Sequence, residues 1–137
     1  MKTLIVLHLL ATTMMTGVIW VVQLVHYPTY LWIDESRFAA FEAFHCNRIG
    51  FIVAPLMILE ATTGLYLTWA FPGVTTVTGL ILIGIVWAST FFIQVPIHNR
   101  LSSGFDRTLA LQLIHTNWIR TALWTIRLVL GILVIRP

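Results

Sequence analysis

Four apolar stretches, at about residues 4–25, 49–71, 76–97 and 116–135, occupy most of a 137-residue chain and restrict it to long helices. Each is close to the roughly 20 residues that carry an α-helix across a bilayer core. At 58% hydrophobic and 9% charged residues, the chain is too apolar for a water-soluble domain and too short for more than one. The expectation is a single all-α domain over residues 1–137, an integral membrane four-helix bundle of up-down-up-down order. Met1-Lys2 and the apolar run after it read as the first helix rather than a secretory leader.

Local signals refine the boundaries. Pro28 is expected to end the first helix, Phe71-Pro72-Gly73 to turn the chain between the second and third, and Pro55 to kink the second. Asp34 can cap the second helix well before its span, with Phe38, Phe41, Phe44, His45 and Ile49 at helical spacing. Residues 34–48 then extend that helix beyond the bilayer, and a similar extension from Ser103 or Asp106 precedes the fourth span. Gly64-x-x-x-Thr68 and Gly84-x-x-x-Ala88 read as close-packing positions.

This order brings four histidines to one side. His26 and His98 lie at the ends of helices one and three, and His45 and His115 at the starts of helices two and four. A near-repeat supports the grouping. Arg37, Ala40, His45, Asn47 and Ile49 line up without gaps on Arg107, Ala110, His115, Asn117 and Ile119, and Gln23-x-x-His26-Tyr-Pro28 resembles Gln94-Val-Pro96-x-His98. The register is compatible with two pseudo-repeated helical hairpins. Arg37, Arg48, Arg100 and Arg107 on the histidine side, against Lys2 and Arg136 on the other, turn that side toward the cytoplasm of an inner-membrane protein.

Neutral imidazoles on facing helices can hold Cu, Fe or Zn, and a pair of them can hold haem b. Glu42-x-x-His45 has the spacing of di-iron bundles, but the matching position in the second copy is Gln112. A histidine-rich site of His26, His45, His98 and His115 therefore fits better, with Glu42 and Gln112 beside it and Gln23, Gln94, Asn47 and Asn117 holding the second imidazole nitrogens. The competing reading is that these polar residues only meet water and headgroups. Cys46, the single cysteine, reads as a small buried residue, and it excludes an intrachain disulfide. Eight Lys and Arg without a run or stripe exclude nucleic acid as partner.

Charges inside the spans add a second theme. Glu60 is expected to pair with Arg127 or Arg120, since a lone charge there is costly, and Arg120, Trp124 and Arg127 form one inward stripe. His8, at the other end, reads as structural. Trp32, Trp69 and Trp118 read as interface anchors, with Trp118 also placed to line a pocket.

Gln94-Val-Pro-Ile-His-Asn99-Arg-Leu101 and Asn117-Trp-Ile-Arg120-Thr121 resemble motifs of the anthrone oxygenase-like membrane family. The resemblance lies mainly in the second half of the chain and implies family positions at Asn99, Asn117, Arg120 and Thr121. The segment around Gln23 to Pro28 and His45 departs from that pattern, so the anthrone substrate does not carry over. What the resemblance implies is oxidation of an apolar molecule. The leading expectation is a membrane oxidoreductase or oxygenase with a histidine-bound redox metal, with Arg120 and Tyr27 orienting an apolar substrate and Trp118, Trp124 and Asn99 lining its path. The other class is a non-enzymatic haem- or metal-binding subunit of a larger membrane complex, and a homo-oligomer also stays open.

Overall fold

The computed structural model describes residues 1–135, with side chains to residue 133. Arg136, one of the two charges expected on the far side, lies outside the described residues. Four helices run in order: α1 (Lys2–Trp32), α2 (Glu35–Ala70), α3 (Val74–Leu101) and α4 (Arg107–Ile135). Neighbours in sequence pack together, and α1 closes on α4, so the four form a ring. The first three are long and apolar enough to cross a membrane. α4 is as long but carries Asn117, Arg120, Thr121 and Arg127, all turned into the ring and buried. The outer faces show Phe51, Ile58, Leu65, Phe92 and Val129 exposed, an apolar surface ill suited to water.

The helix starts form as their sequence directs. Asp34 caps α2 by accepting from the Ser36 amide at 2.9 Å, and the Ser36 hydroxyl and amide together hold its carboxyl below the usual range. Asp106 caps α4, accepting from the Leu109 amide at 3.0 Å. Residues 71–73 make the tight turn.

Pro28 does not end the first helix. A π-turn at Val22–His26 precedes it, Pro28 falls in the first turn of a fresh α segment, and a short 3-10 turn at Tyr30–Trp32 finishes α1. A proline is tolerated there because its missing N–H is not needed. α3 repeats the device, with a π-turn at Thr90–Gln94 and then Pro96. The π-turn adds one residue to a turn and rotates the remainder of the helix by about 100°. α2 remains helical through Pro55.

Of the two small-residue pairs, only one is a close approach. A Cβ on Gly64 would lie 2.6 Å from Ile83 Cδ1 and 3.2 Å from His8 Cε1, whereas one on Gly84 would meet nothing within 4 Å.

Below the centre of the ring lies a buried polar cluster. Glu60 forms an ion pair with Arg127 rather than Arg120. Thr12 donates to Glu60 Oε1 at 2.7 Å and Trp124 Nε1 to Oε2 at 2.9 Å. Arg127 Nη2 also donates to His8 Nε2 at 3.4 Å, and His8 Nδ1 meets Thr63 at 2.8 Å. Three helices thus meet on one carboxylate. Glu60→Gln should lower stability by about 3–5 kcal/mol, because Arg127 is left buried and unpaired, while Glu35→Gln, exposed at a helix start, should hardly change it. Thermal unfolding of the purified variants measures the order; equal effects would show that Glu60 is solvated.

Candidate metal centre

Glu42, Cys46 and His98 bring three different donor atoms together. Glu42 and Cys46 stand one turn apart on α2, and His98 reaches them from α3, beyond its π-turn. His98 Nδ1 donates to Glu42 Oε1 at 2.5 Å, and the Cys46 thiol donates to the same oxygen at 3.3 Å. Cys46 Sγ lies 3.7 Å from His98 Nδ1. Donors around a four-coordinate ion stand roughly 3.3 Å apart, given bonds of about 2.0–2.3 Å. The two sulfur distances already suit such an ion. The short Glu42–His98 contact would open slightly, or the ion would take Glu42 Oε2, which is buried and has no partner. This group could hold a metal ion.

His98 is held from its other side. Tyr27 Oη lies 3.0 Å from His98 Nε2, and Arg120 Nη2 donates to the same phenol oxygen at 3.4 Å. Arg120 in turn donates to Asn117 Oδ1 through Nε at 2.9 Å and Nη2 at 2.7 Å. Asn117 Nδ2 donates to Gln23 Oε1 at 2.9 Å, and Gln23 Nε2 to the Ile114 carbonyl at 3.1 Å. A single chain of hydrogen bonds therefore runs through all four helices, from Gln23 to Glu42. With a neutral imidazole, Tyr27 donates to Nε2 and leaves the proton on Nδ1 for Glu42. A metal held at Nδ1 would take the place of that proton, leaving the Tyr27 oxygen to accept from Nε2–H.

The expected histidine set is brought together in part. The His45 and His98 rings are 5.5 Å apart, and His26 stacks on His45 at 4.2 Å. His26 Nε2 is buried without a partner. His115 is exposed and stands outside the group. Around it on α4 the buried positions are Leu109, Ala110, Leu113 and Asn117, and His115, two residues from each of the last two, points about 200° away from them. Gln112 and Asn47 are exposed as well. Gln23 and Asn117 do not bond imidazoles but secure Arg120. Gln94 is buried, accepting from Ser89 at 3.0 Å and donating to Thr116 at 3.4 Å.

Cys46 corrects the sequence reading: it is exposed, not buried, and belongs to the donor group. Its position four residues after Glu42, hence on one face of a helix, was the available signal.

A cleft of about 580 Å³ opens beside this group. Its lining includes Tyr27, His98, Arg120, Trp124, Met57 and the exposed Asn99, and Arg120 Nη1 donates there to Thr90 Oγ1 at 3.4 Å. Its exposed lining residues, including Ala54 and Ile58 on α2 and Phe91 and Val95 on α3, place the mouth between those two helices. Trp118 is not in the lining; it packs edge-on against Trp20 at 5.7 Å, half exposed.

Comparison with family models, curated proteins and solved structures found no match to this chain. Because Tyr27 bonds the far nitrogen of His98, Tyr27→Phe should weaken metal binding by about 10–100-fold without unfolding the protein. Titration with a competing chelator measures it, and unchanged affinity would remove Tyr27 from the site.

Proposed function

We propose that this chain is an integral membrane oxidoreductase that holds a redox metal at Glu42, Cys46 and His98 and oxidises an apolar small molecule. The observation that carries this reading is the position of the donor group: His98 and Cys46 line a largely apolar cleft whose mouth is lateral, between α2 and α3. In an up-down-up-down bundle set in a bilayer, that mouth faces lipid, the phase in which an apolar substrate is concentrated. The arginines at residues 37, 48, 100 and 107 favour a cytoplasmic position for the metal end.

A thiolate, a carboxylate and an imidazole make a mixed donor set that suits Fe, Cu or Zn, and a redox metal there would supply electron transfer to the reaction. The chain's own residues do the rest. Arg120 and Tyr27, both lining the cleft, present N–H and O–H groups to orient a substrate oxygen. Asn99 stands at the mouth, and the apolar walls exclude water. The motifs Asn99 and Asn117-x-x-Arg120-Thr121, which resemble those of the anthrone oxygenase-like family, converge in part here: Asn99 and Arg120 both line the cleft.

The geometry favours an ion over haem in the alternative role of a cofactor-binding subunit. Bis-histidine haem needs two imidazoles aimed at one iron from opposite faces of a porphyrin, whereas His26 and His45 lie face to face at 4.2 Å, too close to admit one between them. Cys46→Ser and His98→Ala should each remove most of the bound metal, with His115→Ala retaining it. Elemental analysis of the purified variants decides this, and full occupancy in both of the first two would refute the assignment.

A further inference from the structure

A second lateral cleft, of about 510 Å³, lies between α1 and α2. Its lining runs from Gly17 to His26 on α1 and from Phe41 to Ile52 on α2. His26 stacks on His45 and Thr12 bonds Glu60, so the two helices run antiparallel, and Gly17 and Ile52 both belong to the deeper end of the cleft. Val21, Phe44 and Ile52 are exposed along it, so it opens sideways, toward lipid when the bundle is set in a bilayer.

Polarity is sorted along this cleft. The polar side chains of its lining are His26, His45 and Arg48, all at the outer end. The Arg48 guanidinium lies over the Phe44 ring, 5.5 Å from its centroid, so the side chain reaches back one turn toward the start of α2. Deeper in the cleft the walls are wholly apolar, with Val18, Val21, Ile49 and Ile52 facing one another across the two helices. From His45 to Ile52 the helix rises about 10 Å, at 1.5 Å per residue.

Arg48 has no anion of its own. Among the described residues no carboxylate lies within ion-pair distance of it, and the positions three and four residues away on α2, Phe44, His45, Phe51 and Ile52, carry none. It immediately precedes the apolar stretch that begins at residue 49, which is the depth of headgroup phosphates.

From this sorting we infer that the α1–α2 cleft binds an anionic phospholipid, its phosphate on Arg48 and one acyl chain along the apolar end. A guanidinium fork matches a phosphate bidentately, and basic pockets between spanning helices recognise lipid headgroups in this way. A choline headgroup would bring a second cation beside Arg48, whereas a glycerol headgroup brings none. The inference rests on the membrane placement of the chain and does not need the metal.

The test uses the full chain in maltoside detergent, with phosphatidylglycerol and phosphatidylcholine of identical acyl chains as probes and native mass spectrometry as the readout. Phosphatidylglycerol should be retained in a one-to-one complex and phosphatidylcholine about tenfold or more weaker. Arg48→Gln should lower phosphatidylglycerol to the phosphatidylcholine level, whereas Arg37→Gln, at an exposed arginine outside the cleft, should leave it unchanged. Gly17 lines the apolar end, a Cβ there meets nothing within 4 Å, and leucine is the better helix former, so Gly17→Leu should fold and lower retention of both lipids. Equal retention of the two lipids would overturn the assignment, as would phosphatidylglycerol retention that survives Arg48→Gln. Equal losses in Arg37→Gln and Arg48→Gln would also overturn it, because general surface charge would then account for binding. So would displacement by glycerol phosphate, since the site would then read a soluble phosphate. If Arg48→Gln fails to fold, the comparison of the two lipids and the Gly17→Leu variant still decide. Metal content is measured in the same samples: retained phosphatidylglycerol without metal upholds this inference while refuting the metal site, and metal without lipid selectivity does the reverse.

Discussion

A charge or a hydrogen-bonding group inside an apolar ring of helices has to be met from another helix, and this requirement sets the register of the whole molecule. Glu60 on α2 is met by Arg127 and Trp124 on α4 and by Thr12 on α1. Gln23, Asn117, Arg120, Tyr27, His98 and Glu42 satisfy one another in sequence across all four helices. Apolar contacts alone would let the helices slide by a turn with little loss. These two polar assemblies, one at each level, do not.

Two π-turns convert that register into a site. Both fall before a proline, on α1 and α3, and both rotate the end of their helix relative to its start. On α1 the result is that Gln23 and Tyr27 are both buried, the first to hold Asn117 and the second to hold His98. On α3 it buries Gln94 and turns His98 toward α2. Such insertions recur at functional sites because they aim side chains that an unbroken helix would point elsewhere. Beside them a cleft opens between α2 and α3, and Cys46 and His98 are among its lining residues.

Much of the helical architecture was legible in the sequence because it depends on local rules. The caps at Asp34 and Asp106, the turn at residues 71–73, the long extension of α2 and the Glu60–Arg127 pairing all derive from spacing, turn chemistry and the cost of lone charge. Three of the four histidines come together as their helix ends suggested. The fourth fails for a simple reason: the near-repeat aligns His45 with His115, but the buried positions are 38, 42 and 45 on α2 and 109, 110, 113 and 117 on α4, out of step with the repeat by one to two residues. A repeat in sequence does not fix the rotation of a helix about its own axis, which is set by all the contacts along it. The role of Cys46 was hidden similarly, since its thiol matters only because the π-turn of α3 delivers His98 beside it.

The central claim is that Glu42, Cys46 and His98 form a metal centre, and the coordination shell itself tests it most directly. X-ray absorption at the edge of the metal bound to the purified protein should show one sulfur at about 2.3 Å and two or more nitrogen or oxygen ligands at about 2.0–2.2 Å, the distances expected for zinc and near those of its neighbours. A shell of nitrogen and oxygen alone would place the ion away from Cys46 and contradict the account.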